Sequence, residues 1–265
     1  MIYEDLVKID VLRPILPGFA ENRFRMLRNG KISWMGRSYI EPNSPWIFGK
    51  VDPQRKCNKW LDVYFEYYKI IPKGCRNCWK VAYRPKHLAE LMKICKLLIE
   101  MDKPGKCGME TRPLTGNKGG YGAFWYAPLD GGLKSARGLR KLVKPRLSSL
   151  LKRDVPDITL KRGCTEMEQF TVRAGIGGSD NWDKGADIYD RTEDLLEETF
   201  IDVKIKENVQ PAIMEIHTQR MWIEWAYEHN DPTLGQFAEK GSFPLPAVNY
   251  KDSKQFDDKD FRSTM

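Results

Sequence analysis

"WKVAYRPKHLAELMKICKLLIEMDKPGKCGME" runs from Trp79 to Glu110, and its hydrophobic period changes twice. In the first five residues Trp79, Val81 and Tyr83 alternate with Lys80 and Ala82, the pattern of a half-buried strand. From Pro85 the period lengthens. Leu88, Leu91, Met92, Cys95, Leu98 and Ile99 recur at helical spacing, and proline suits a helix N-terminus. "KPG" at Lys103–Gly105 stops that helix. Alternation then resumes in "KCGMETRP", with Met109 and Thr111 on one face and Glu110 and Arg112 on the other. The stretch reads strand, helix, strand.

Working outward, "LTGNKGG" (114–120) is a turn and "YGAFWYAP" (121–128) a third strand. "DGGLKSARGLRKLVKPRLSSLL" (130–151) is a second helix that Pro145 is expected to kink or interrupt. "DITLKRGC" (157–164) is a fourth strand with Ile158 and Leu160 facing inward. The order β-α-β-β-α-β is that of a ferredoxin-like core, an α+β fold. It implies an antiparallel sheet in the order 4-1-3-2, with both helices on one face. The expected organisation is an aromatic-rich extension over 1–72, the core with its cysteines over 73–170, and a C-terminal segment over 171–265 packing on the core. That last segment is glycine-rich ("AGIGGSDNWDKG"), then acidic ("DRTEDLLEETF"), then helical around "AIMEIHTQRMWIEWAYEH", and it ends in a polar tail. In the N-terminal extension "NKWLDVYFEYYKII" fits either a strand or a short amphipathic helix.

A hydrophobic content of 41% and eight Trp supply a core for this 265-residue chain. The net charge of +8 favours acidic partners: nucleic acid, an anionic surface or an acidic protein. No secretory signal is evident in "MIYEDLVKID", and no apolar run approaches the roughly 18 residues of a membrane span. Six Cys without such a signal point to a reducing compartment, the cytoplasm, where clustered Cys bind metal more often than they pair.

Under the expected topology Cys75 and Cys78 precede the first strand, Cys107 opens the second and Cys164 closes the fourth, all at one end of the sheet. A Cys-x-x-Cys knuckle supplies two thiolates, and later single cysteines complete a site for zinc or, alternatively, an iron–sulfur cluster. Cys57 is the spare fourth ligand. Small buried residues are the plain alternative for all of them. Cys95, on the apolar face of the helix, reads as core.

The sheet face opposite the helices is expected to carry Lys80, Arg84, Arg112 and Lys161. The third strand is aromatic on both sides, Tyr121 and Trp125 on one and Phe124 and Tyr126 on the other. Rings among cations suit single-stranded RNA or DNA, with Tyr121 and Trp125 taken as the stacking pair. "GGYGAFWY" (119–126) resembles the third-strand octamer of the RNA-recognition motif at Gly120, Tyr121, Gly122 and Tyr126. It departs at Gly119, where that family has a basic residue, and at Ala123, where it has a second ring. The resemblance covers about 90 residues and implies base stacking on the open sheet face. Packing of the extensions over that face is the competing expectation. A second basic surface is the 130–151 helix, through Arg137, Arg140, Lys141 and Lys144.

Other constellations are weaker. "GIGGSDN" lacks a P-loop ending, and Asp180, Asp183 and Asp187 do not have EF-hand spacing. The three His form no triad. The sequence therefore leads to a nucleic-acid-binding protein with a structural thiolate metal site. The alternatives are a metal- or iron–sulfur-dependent enzyme acting on nucleotides or nucleic acid, and an assembly protein meeting an acidic protein partner.

Overall fold

The computed structural model describes residues 11–34, 44–50, 52, 54–110, 120–156, 158–201 and 212–238. It is an α+β protein with two sheets. The larger sheet contains β3 (Trp46–Phe48), β4 (Trp79–Tyr83), β5 (Gly105–Glu110), β6 (Gly120–Tyr126) and β7 (Thr159–Arg162). Its spatial order is β3-β5-β6-β4-β7, and every neighbouring pair is antiparallel. The smaller sheet joins β1 (Phe24–Met26), β2 (Ile32–Trp34) and β8 (Phe200–Ile201), with β2 and β8 parallel.

The expected four-stranded sheet is thus a five-stranded one. Its extra edge strand comes from the N-terminal extension. Gly108 explains why β3 docks there. A Cβ at Gly108 would lie 2.1 Å from the Pro45 carbonyl oxygen, so only glycine lets that chain approach.

One face of the large sheet is covered by helices. Leu88–Glu100 buries Leu88, Leu91, Ile94, Cys95 and Leu98, the apolar stripe read from the sequence. It starts three residues after Pro85, because Asp231 and Thr233 cap its first amides. Leu88 N–H donates to Asp231 Oδ2 at 2.8 Å and Ala89 N–H to Thr233 Oγ1 at 3.1 Å. Gly132–Leu151 buries Ala136, Leu139, Val143 and Leu147. Pro145 lies inside it without ending it. Its position is exposed, so water can satisfy the Lys141 carbonyl that a proline leaves without an amide. The third helix, Ala212–Glu228, packs beside Leu88–Glu100 and β3.

A second core lies outside the sheet. "CNKWLDVYFEYY" is a helical run over 57–68, with a π-helical middle at Trp60–Phe65 that buries Trp60, Val63, Tyr64 and Phe65. These pack with Ile15, Phe24, Ile32, Cys75, Met167, Trp182, Leu196 and Phe200. Two helices complete this core: Thr165–Arg173, which precedes the segment read as glycine-rich, and Ala186–Thr199, which contains most of the segment read as acidic. Among the described residues, no helix is long and apolar enough to cross a membrane.

Candidate functional site

Strand register decides which side chains share a face. Lys80 pairs with Tyr126 and Lys161; Ala82 pairs with Phe124, which pairs with Lys106, which pairs with Phe48. These residues line the face away from the helices. Phe124, Tyr126, Trp46 and Phe48 are half-buried there. Phe124 lies 5.7 Å from Trp46, over a strip cleared by Gly122. Three cations cover the rings. Lys80 Nζ is 4.8 Å from the Phe124 centroid, Lys106 Nζ 4.2 Å from Trp46, and the Arg55 guanidinium 4.8 Å from Tyr126.

Lys80 is only 3% exposed, and burial presses its pKa down to about 8, against the upward pull of the Cys164 and Cys78 thiols. Burial also lowers Lys106 and raises Tyr126.

The stacking pair taken from the sequence lies on the other face. Trp125 pairs with Val81 and Tyr121 with Met109, so both rings enter the helix-covered core, at 0% and 5% exposure. Tyr121 Oη donates to Asp231 Oδ2 at 2.9 Å and its ring meets Trp225 edge-on. Neither ring is open to a base. Arg84 is exposed just beyond the end of β4, and Arg112 lies outside the described residues. Lys161 shares the face of Lys80 but pairs with Glu168 at 3.2 Å.

The cysteines divide into two groups. Cys107 is mid-strand, opposite Ala123 and Ile47, and faces the helices. It is fully buried and hydrogen-bonded to Cys95, apart from the other expected ligands. Backbone bonds link the Cys75–Cys78 turn to Gly163, the residue before Cys164, and Trp60, three residues after Cys57, packs on Gly74. Cys57 is exposed, whereas burial, with the neighbouring thiols adding to it, raises Cys75 well above the usual thiol range. Cys164 is raised mainly by burial.

Local geometry fixes each sulfur. Cys164 caps the Thr165–Arg173 helix, its Sγ accepting Met167 N–H at 3.3 Å. Gly163, at φ +66°, turns the chain there beneath the Trp182 ring and donates its N–H to the Cys78 carbonyl at 2.6 Å. A Cβ at Gly163 would sit 2.2 Å from that ring. Gly163→Ala is therefore expected to lower stability by about 1–2 kcal/mol in urea denaturation. An unchanged midpoint would refute this account of the turn. Arg55 donates to Cys78 Sγ at 2.9 Å and to the Ala127 carbonyl, while Asp52 holds its Nε at 3.0 Å.

The basic helix is an open surface. Lys134, Arg137, Arg140, Lys141, Lys144 and Arg146 are all exposed, and Gly132–Leu151 contains no acid. At 100° per residue, the first five fall within about 120° of the circumference, along about 15 Å of axis. Lys144 reaches Asp154 at 3.5 Å; the other five have no carboxylate partner among the described residues. Arg140, Lys141, Lys144, Pro145 and Ser148 line a shallow depression of about 400 Å³.

The acidic loop has a structural role. Asp183 pairs with Arg162 at 2.7 Å, and Trp182 is buried with its Nε1 on Thr171. Sequence reading missed Arg55, Trp46 and Lys106. Trp46 and Arg55 lie in the segment read only as an aromatic-rich extension, and strand register is what brings Trp46 and Lys106 to one face. Among the described residues, no group of three or more His, Cys, Asp or Glu side chains is already arranged about a metal position. Comparison with protein-family models, curated proteins and solved structures gives no match.

Proposed function

We propose that this is an intracellular nucleic-acid-binding protein that grips the phosphate backbone of single-stranded RNA or DNA on the exposed stripe of the Gly132–Leu151 helix. The observation carrying this reading is a 20-residue helix without an acid whose exposed stripe holds five cations, four of them lacking a carboxylate partner among the described residues. Like charges gathered on one face without counter-charges repel each other, and a row of phosphates relieves that repulsion by releasing counterions. The scaffold on this reading is a ferredoxin-like unit, β4 to β7 in the order β7-β4-β6-β5, extended at its edge by β3. The RNA-recognition-motif resemblance then rests on Phe124 and Tyr126 as the outward rings of its third strand, with Trp46 beside them.

Fluorescence anisotropy with labelled single-stranded 20-mers of RNA and of DNA tests the proposal. Five phosphate contacts on single strands give a slope of log K against log salt of about −3.5. Arg140→Glu with Lys144→Glu is expected to weaken binding at least about tenfold and to flatten that slope by about 1–2. Both positions are exposed, so the melting temperature should hold. Failure to bind any oligonucleotide at low salt overturns the reading and leaves an acidic protein partner as the occupant of the stripe.

A further inference from the structure

The thiol group at the junction of the two cores is independent of the basic helix. Three distant pieces of chain meet there. The helical run from Cys57 puts the Trp60 ring on Gly74, where a Cβ would be 2.1 Å from the ring, and so brings the start of that run against the Cys75–Cys78 turn. The turn in its turn is bonded to Gly163, one residue before Cys164.

We propose that Cys57, Cys75, Cys78 and Cys164 are the four ligands of one zinc ion that joins the N-terminal helical run, the Cys75–Cys78 turn and the Thr165–Arg173 helix. Sulfur is the ligand type that selects zinc, and one Cys-x-x-Cys turn with two single cysteines supplies the four positions of a closed structural site. The chemistry balances without a redox step. Each thiol releases its proton on binding, and four thiolates around a dication leave a net charge of about −2.

The surroundings suit that charge. Arg55 donates to Cys78 Sγ at 2.9 Å, and the Met167 amide donates to Cys164 Sγ at 3.3 Å, the kind of outer contact that orients thiolate ligands. Lys80 is 97% buried beside Cys78 and Cys164 and has no carboxylate within ion-pair reach among the described residues. The four thiols are neighbours that do not yet share one ligating position.

The test is elemental analysis of the full chain purified without oxygen, together with cobalt substitution and titration of reactive thiols. About one zinc per chain is expected, with the intense visible bands of tetrahedral cobalt thiolate after exchange. A chelator should expose four further thiols. Cys57→Ser should lose the metal or hold it much more weakly, whereas Cys107→Ser should keep one equivalent, because that thiol faces the helices. Should Cys57→Ser fail to fold, the cobalt spectrum and the thiol count of the wild-type chain still decide the matter. Absence of zinc from the wild-type chain overturns the proposal. So does wild-type zinc content in Cys57→Ser, loss of metal from a folded Cys107→Ser, or iron with labile sulfide absorbing near about 400 nm.

Discussion

Trp222→Ala is expected to destabilise the protein by about 3–5 kcal/mol, a large share of a typical domain's stability of about 5–15 kcal/mol. Trp222 is fully buried in the core beneath the large sheet. Its Nε1 donates to the Pro45 carbonyl at 2.8 Å, while one turn earlier Thr218 Oγ1 donates to the Ser44 carbonyl at 3.0 Å. Pro45 also accepts the Met109 N–H at 3.3 Å and lies over Gly108. The C-terminal helix thus fastens the residues before β3 to the sheet edge. Truncation removes the ring, leaves a cavity and takes a donor from Pro45. Denaturant unfolding measures the loss, and amide exchange in β3 should rise with it. Ile213→Ala and Ile216→Ala, at positions 71% and 61% exposed on the same helix, should change stability by no more than about 0.5 kcal/mol. A Trp222 variant within that range would show that β3 docks without the helix.

Local periodicity made β4, β5, β6, β7 and the two helices between them legible, because each is long enough to repeat its pattern. β3 is three residues long, and no period can be read from "WIF". What places it is an absence, the side chain missing at Gly108 across the ladder. The helices Thr165–Arg173 and Ala186–Thr199 were illegible for another reason. Each buries only two residues, Met167 and Thr171 in one and Leu196 and Thr199 in the other, so polar and charged residues dominate their composition and leave little apolar period to read.

The site was legible in its parts but not in its facing. Alternation in "GYGAFWY" separates Tyr121 and Trp125 from Phe124 and Tyr126, yet aromatic residues on both sides give no sign of which set is buried. Register with Val81 and Met109 decides it. The same rule moves Cys107. Its strand begins at Gly105, so Cys107 is the third residue, on the parity that faces Cys95. Cys57 immediately precedes a segment readable as strand or helix, and its approach to the Cys75–Cys78 turn depends on the helical outcome and on Trp60 meeting Gly74.

Asp231 carries the second large effect. Its carboxylate accepts Leu88 N–H at 2.8 Å and Tyr121 Oη–H at 2.9 Å on one oxygen, and Thr233 N–H at 2.8 Å and Oγ1–H at 2.6 Å on the other. One side chain therefore caps the Leu88–Glu100 helix, satisfies a buried tyrosine and closes the turn after the C-terminal helix. Asp231→Ala leaves the Leu88 amide and the Tyr121 hydroxyl without this partner, in surroundings where Leu88 is fully buried, and should lower stability by about 2–4 kcal/mol. Burial alone would push the Asp231 carboxyl upward, but the donors of Thr233, Leu88 and Tyr121 outweigh it and hold the group below the usual carboxylate range. The sign follows from that depressed value. The ionised carboxylate stabilises the fold fully above the unfolded value of about 3.9, and the contribution fades as pH falls through the lower folded value. Asp231→Asn should thus trail the wild type by a constant margin between about pH 6 and 8, begin to close on it below about pH 4 and converge only below the lowered folded value. Urea midpoints across that range measure the margin. A gap that persists at acid pH would assign the effect to shape rather than charge, and equal midpoints at neutral pH would mean that the helix start and Tyr121 find other partners.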